Sequence, residues 1–200
     1  MNLLRGLPVI LLGAIGAPLA GFTAPPRVYY VWVSPEFTPE EAHALERAED
    51  AWQEAVGPGL VFLPWVSDDC DVGMPRSDER ICVAPASHAW LADLVGNEGI
   101  IGVQYRPTGE GIPIQGRVDV GTLESPTWRA YAPELGILRH VFAHELGHAM
   151  GLDHDLSGHS IMRPAVLACL DPIAHTGCDV AVPLTPTTTD AMHWRLLRLY

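Results

Sequence analysis

His144-Glu145-Leu146-Gly147-His148-Ala149-Met150-Gly151-Leu152-Asp153-His154-Asp155 is the stretch on which the reading of this chain turns. Just before and within it, apolar Leu135, Leu138, Val141, Phe142 and Leu146 recur at three- and four-residue intervals, which predicts a helix over residues 133–150. On a helix, positions four apart sit one turn above each other and only about 40° apart, so His144 and His148 can hold one ion between them. Glu145 lies beside that line, able to reach a metal-bound water without being a ligand, as a general base must. His154 is different: continued as helix it would lie about 15 Å along the axis from His144 and on another face. It can join the ion only if the chain reverses, and Gly151 permits the left-handed residue with which helices commonly end.

Three neutral imidazoles with an open fourth position make a catalytic zinc site, whereas a structural site is closed by four protein ligands, usually including thiolates. No fourth protein ligand is obvious here. A downstream glutamate cannot serve as third ligand, because the chain has none after Glu145. Asp155, next to His154, stays open as a minor alternative for that place. His140, one turn before His144, could extend the metal face, but reads better as a helix-surface histidine. His43, His88, His159, His175 and His193 have no partner at ligand spacing. Asp68, Asp69, Asp71 and Asp78 crowd one loop; Ca2+ there is conceivable but unsupported, since no EF-hand pattern is present and a solvated acidic loop is the simpler reading.

The pattern His-Glu-x-x-His-x-x-Gly-x-x-His resembles that of the metzincin zinc peptidases, with His144, His148 and His154 as metal ligands and Glu145 as base. Ser160-Ile161-Met162-Arg163-Pro164 looks like the Met-turn that underlies the zinc in that clan. Its short distance from His154 and the following proline resemble matrixins most; Asp155 departs, since matrixins usually carry serine there and adamalysins aspartate. The resemblance implies an α+β, metzincin-type zincin fold: a twisted, mostly parallel sheet with an antiparallel edge strand, an active-site helix and a C-terminal helix. Ile100 to Tyr105, followed by Arg106-Pro107-Thr108-Gly109-Glu110-Gly111, is similar to the edge strand and its glycine-rich bulge. A peptide or protein substrate would lie extended along that strand. Residues 164–186, after the Met-turn, would form the outer wall of the pocket just beyond the cleaved bond.

Outward from the motif, the remaining elements follow local signals. Arg27 to Val33 (RVYYVWV) is rich in β-branched and aromatic residues and reads as the first strand. Thr38-Pro39-Glu40-Glu41 supplies an N-cap, a first-turn proline and a capping-box glutamate, opening a helix that runs to about Val56 before Gly57-Pro58-Gly59. Further strands are expected over residues 60–66, 80–84 and 116–121, and a closing helix over 188–200. No repeat or interdomain linker interrupts residues 21–200, which read as one catalytic domain.

Residues 1–20 carry a single cation, Arg5, and then an apolar stretch ending in small residues, the layout of a secretory signal. About 14 apolar residues broken by Pro8 and Pro18 fall short of the roughly 20 that span a bilayer, so no stable membrane anchor is expected. A secreted, periplasmic or extracellular protein follows. With the first strand starting so soon after, no room is expected for a cysteine-switch propeptide. Cys70, Cys82, Cys169 and Cys178 are even in number and lack a Cys-x-x-Cys pair, which suits two disulfides. Of three connectivities the local one, Cys70 with Cys82 and Cys169 with Cys178, closes the shortest loops at least entropic cost.

The 200 residues, 48% hydrophobic and 18% charged, are enough to bury a core. The net charge of -12 works against nucleic acid and anionic lipid as partners. All 12 basic residues are arginine, which removes lysine Schiff bases, Walker-type phosphate loops and kinase sites. The expectation is therefore a secreted, zinc-dependent endopeptidase. Its rival is a zinc-bearing binding or inhibitor module on the same scaffold, which would need the three histidines but not Glu145. A non-peptidase amide or ester hydrolase is a third reading.

Overall fold

The computed structural model describes residues 25–66, 69–70, 79–96, 102–105, 116–120, 137–156, 159–164, 183 and 185–198. The leader, Cys169 and Cys178, and most of the 164–186 segment lie outside the described residues.

Five strands form one sheet in the order β2-β1-β3-β5-β4 among the described residues. They are β1 (Arg27–Val33), β2 (Leu60–Trp65), β3 (Arg80–Pro85), β4 (Gly102–Tyr105) and β5 (Gly116–Val120). β1, β2, β3 and β5 run parallel, and β4 pairs antiparallel with β5 at the edge. This is the mostly parallel sheet with an antiparallel edge strand that the motif implied. Pro64 is tolerated in β2 because that strand is the opposite edge, where a missing N–H need not break a central ladder.

The two faces of β1 do different things. Tyr29 and Val31 are fully buried against the helices, in one core with Leu45, Trp52, Phe142 and Leu146. Trp32, on the other face, stands in register with Trp65 on one side and Cys82 on the other. Both indoles pack on the Cys70–Cys82 disulfide, which the short-loop argument anticipated. The second expected bridge lies outside the described residues.

Helix α1 (Pro39–Val56) starts with both arms of its capping box: Glu41 N–H donates to Thr38 Oγ1 at 3.3 Å, and Thr38 N–H donates to Glu41 Oε2 at 2.8 Å. It ends at Gly57, whose φ of 78° a side chain would resist. A short helix, α2 (His88–Val95), was not anticipated. Its start is marked by Ser87, whose Oγ accepts from Trp90 N–H at 3.1 Å. Its outer face carries Trp90 and Leu94, 42% and 47% exposed, so the polar stripe that betrays a surface helix is missing.

The helix bearing the histidine motif, α3, is described over Ile137–Ala149 and lies against β4 and β5. It ends one residue sooner than expected, and residues 133–136 lie outside the described residues. The closing helix, α4, spans Thr188–Leu197 and packs on α1. Arg195 on it and Arg198 just past its end reach carbonyls at and beyond the end of α1, donating to Val56 O at 2.6 Å and Gly59 O at 3.1 Å. Cations there also meet the negative end of the helix dipole.

Candidate metal centre

The end of α3 decides whether the third histidine reaches the first two. Gly151 takes φ 98°, Gly151 N–H donates to His148 O and Leu152 N–H donates to Gly147 O, both at 2.9 Å. Those two bonds are the Schellman closure of a helix, and they turn the chain back over its own last turn. The reversal has a second effect. It returns the Leu152 carbonyl to His148, whose Nδ1–H donates to it at 2.7 Å.

The three imidazoles then converge. His144 Nε2 lies 3.1 Å from His148 Nε2 and 3.3 Å from His154 Nε2. These three, and no other group of His, Cys, Asp or Glu among the described residues, bring three donor atoms within 4.8 Å of one another. His144 Nδ1 donates to Ile161 O at 2.8 Å. A carbonyl only accepts, so in neutral His144 and His148 the Nδ1 carries the proton and Nε2 presents a bare lone pair. Lone pairs aimed at one another at this distance repel unless a cation lies between them. A tetrahedral ion with bonds of about 2.0–2.1 Å holds its ligand nitrogens about 3.3 Å apart, which matches this spacing. The donor set fits zinc.

Electrostatics keep the ligands ready. Burial pushes His144 down to about 3; the bond to Ile161 opposes that shift, and His148, His140 and His154 add to it. Burial also lowers His148. Burial falls from His144 through His148 to His154, so the site opens on the His154 side.

Met162 sits beneath this arrangement. Its sulfur and methyl, with Trp52, occupy the space where a β-carbon on Gly147 would stand. Gly147 is therefore required by close approach, although its helical backbone alone does not need glycine. Trp52 also donates from Nε1 to Ala143 O at 2.8 Å, tying α1 to the ligand helix. Asp155 N–H donates to Met162 O at 3.0 Å and closes the loop from the third histidine to the turn. Glu145 is buried, 6% exposed, one residue beyond His144.

Two residues outside the motif hold the centre. Asp190, 1% exposed, accepts at Oδ2 from Ile161 N–H at 3.1 Å and Thr187 N–H at 2.7 Å, and its Oδ1 accepts from Ser160 Oγ. The carboxylate that caps α4 thus also pins, through its N–H, the residue whose carbonyl orients His144. The sequence shows a Thr187-x-x-Asp190 cap, but nothing in it shows that the cap reaches the Met-turn. His140 is buried rather than on the helix surface, and its Nδ1 donates to Pro183 O at 2.6 Å. It tethers the chain that leads into α4 and is outside the group of converging donors. His43 pairs with Glu46 at 3.2 Å on the surface.

A mostly parallel sheet with an antiparallel edge strand, crossed by a helix that supplies two of three converging histidines, defines a metzincin-type zincin. Residues 35–173 match the profile of the matrixin family of peptidases, and the chain belongs to that family. It is thus a member of a zinc metalloprotease family, and its three-histidine site is a site for one zinc ion. No curated protein sequence matches it significantly. Among solved structures it is similar to archaemetzincin from Methanopyrus kandleri, at 14% identity and a TM-score of 0.49, over 89% of this chain and 98% of that one. It is also similar to high choriolytic enzyme 1, a hatching enzyme zinc-protease of the medaka Oryzias latipes, at 17% identity and a TM-score of 0.34. That match covers 64% of this chain and 44% of the hatching enzyme's length. Neither likeness is close enough to argue from, and the family rests on the profile match.

Proposed function

We propose that the protein is a secreted zinc endopeptidase, and that His144, His148 and His154 hold the metal while Glu145 is the general base. The observation that carries the reading is the convergence of three Nε2 atoms, with Glu145 buried and next in sequence to His144 on the helix that supplies two of them. Zinc held there would supply Lewis acidity, lowering the pKa of a water and polarising the carbonyl it attacks. The chain's own groups do the rest. The carbonyls of Ile161 and Leu152 fix the tautomers of His144 and His148, so both rings are preset for the metal. Glu145 accepts the proton of the attacking water and returns it to the leaving amine.

Substrate would bind extended along β4, whose outer edge has no strand partner among the described residues; main-chain hydrogen bonds there give affinity, and side-chain pockets give preference. Residues 21–200 would be the catalytic domain, exported by the leader at 1–20. No helix among the described residues is long and apolar enough to cross a membrane. Metal analysis together with casein cleavage tests the reading. One zinc per chain and cleavage abolished by a chelator are expected, and a zinc-loaded protein that cleaves nothing would favour the binding module.

A further inference from the structure

His140 is 2% exposed on α3, one turn before His144, and its Nδ1 donates to Pro183 O at 2.6 Å. It is outside the group of converging donors. A polar side chain buried on a helix costs stability unless it is hydrogen-bonded, and an apolar residue would fill the place without that demand. What the histidine adds is a bond from α3 to a residue 43 positions away.

That residue begins a short, stiff span. Pro183-Leu184-Thr185-Pro186-Thr187 carries two prolines, whose rings fix φ, and it ends on the N-cap of α4. Thr187 N–H donates to Asp190 Oδ2 at 2.7 Å, and the same oxygen accepts from Ile161 N–H at 3.1 Å. Ile161 O in turn accepts from His144 Nδ1 at 2.8 Å. The path leaves α3 at His140 and returns to it at His144, about 6 Å further along the helix axis.

We infer that His140 is a positioning residue for the metal ligand His144, acting through Pro183, the cap of α4 and Ile161 rather than by touching the ion. Asp190 fixes Ile161 to the start of α4, but α4 itself packs on α1. A shift of the start of α4 relative to α3 would carry the Ile161 carbonyl away from the His144 ring. The bond from His140 to Pro183 opposes that shift, because it attaches the chain entering α4 to the helix that carries His144. The rings of His140 and His144 also lie 6.1 Å apart between centroids, 28° from parallel, so direct ring contact is the competing route. Groups that orient a ligating imidazole govern metal affinity, which makes affinity the quantity to read. The inference rests on the reading of His144 as a zinc ligand.

Zinc affinity is measured by competition with a chromophoric chelator, and visible absorption of the Co2+-loaded protein reports the ligand geometry. Far-UV circular dichroism of each metal-free variant checks the fold. His140→Phe keeps a ring beside His144 and removes the donor; it should bind zinc about tenfold more weakly and alter the Co2+ spectrum. His140→Leu, smaller and also without a donor, should match it. His140→Asn places an N–H where Nδ1 stands and should restore both readouts towards the parent. In Asp190→Ala the path is already open, so adding His140→Phe should weaken zinc binding no further. Unchanged affinity in the two donorless variants, failure of asparagine to restore it, or losses that multiply in the double variant would each overturn the inference. His144→Ala keeps the underlying reading separate. Full zinc affinity in that variant removes His144 as a ligand, whereas weak binding there beside a normal His140→Phe removes the positioning role alone.

Discussion

Asp190 accepts a hydrogen bond from the backbone N–H of Ile161 at 3.1 Å, 29 residues away, and Ile161 offers its carbonyl to His144. One residue, Ile161, thus links the cap of the C-terminal helix to a metal ligand through its two flanking peptides. Asp190→Ala should leave buried donors on Thr187, Ser160 and Ile161 unpaired and lower stability by about 3 kcal/mol. Zinc affinity should fall about 10–100-fold, because the group that orients a ligand is lost. Chelator competition measures it, and unchanged affinity would show that Asp190 serves the helix cap alone.

Gly147→Ala should be destabilising although alanine is the better helix former by about 1 kcal/mol. The added methyl meets Met162 and Trp52, and overpacking of this kind costs about 1–3 kcal/mol. Combining it with Met162→Ala should recover part of the loss, a coupling that denaturation midpoints of the four proteins would reveal. Additive losses would mean that Met162 does not fill that space.

Glu145→Gln should fold, keep zinc and lose about 10²–10⁴-fold in turnover, the usual worth of a general base. Near-normal cleavage of casein by that variant would remove Glu145 from the mechanism.

The metal-free protein should lose stability as pH falls from about 6.5 towards 3. His144 in the folded chain titrates near 3, against an ordinary value of 6.5, so the unfolded chain takes up its proton first. His148 is displaced in the same direction. Urea midpoints of chelated protein at pH 7.5 and 4.5 should show the fall, and His144→Gln should reduce it. A slope unchanged by that substitution would contradict the shift.

Glu49 works in the opposite sense. Burial, with Glu46 and Asp50 nearby, pushes its carboxyl up from 4.5 to about 8. The folded chain keeps that proton longer than the unfolded one, so the contribution is complete below pH 4.5 and is lost as pH rises to about 8. Glu49→Gln should therefore gain melting temperature relative to the parent at pH 8 and little at pH 4. An equal effect at both values would mean that Glu49 is ionised throughout.

The amino-acid sequence by itself determined whatever depends on neighbours close along the chain. The stacking of His144 over His148, the reversal at Gly151 and the capping box at Thr38 are consequences of backbone geometry over a few residues, and the pairing of Cys70 with Cys82, 12 residues apart, follows from the chain entropy of a short loop. Helix α2 escaped because its exposed Trp90 and Leu94 blur the polar face. His140 looked like a surface residue because periodicity says which residues share a face, not what covers that face. Tertiary structure alone decided the rest: the strand order β2-β1-β3-β5-β4, the pin from Asp190 to Ile161, the seat of Met162 against Gly147 and the tether from His140 to Pro183. Each joins segments a dozen or more residues apart, and which of the many pairings the chain adopts is set by burying the whole core at once rather than by any local preference.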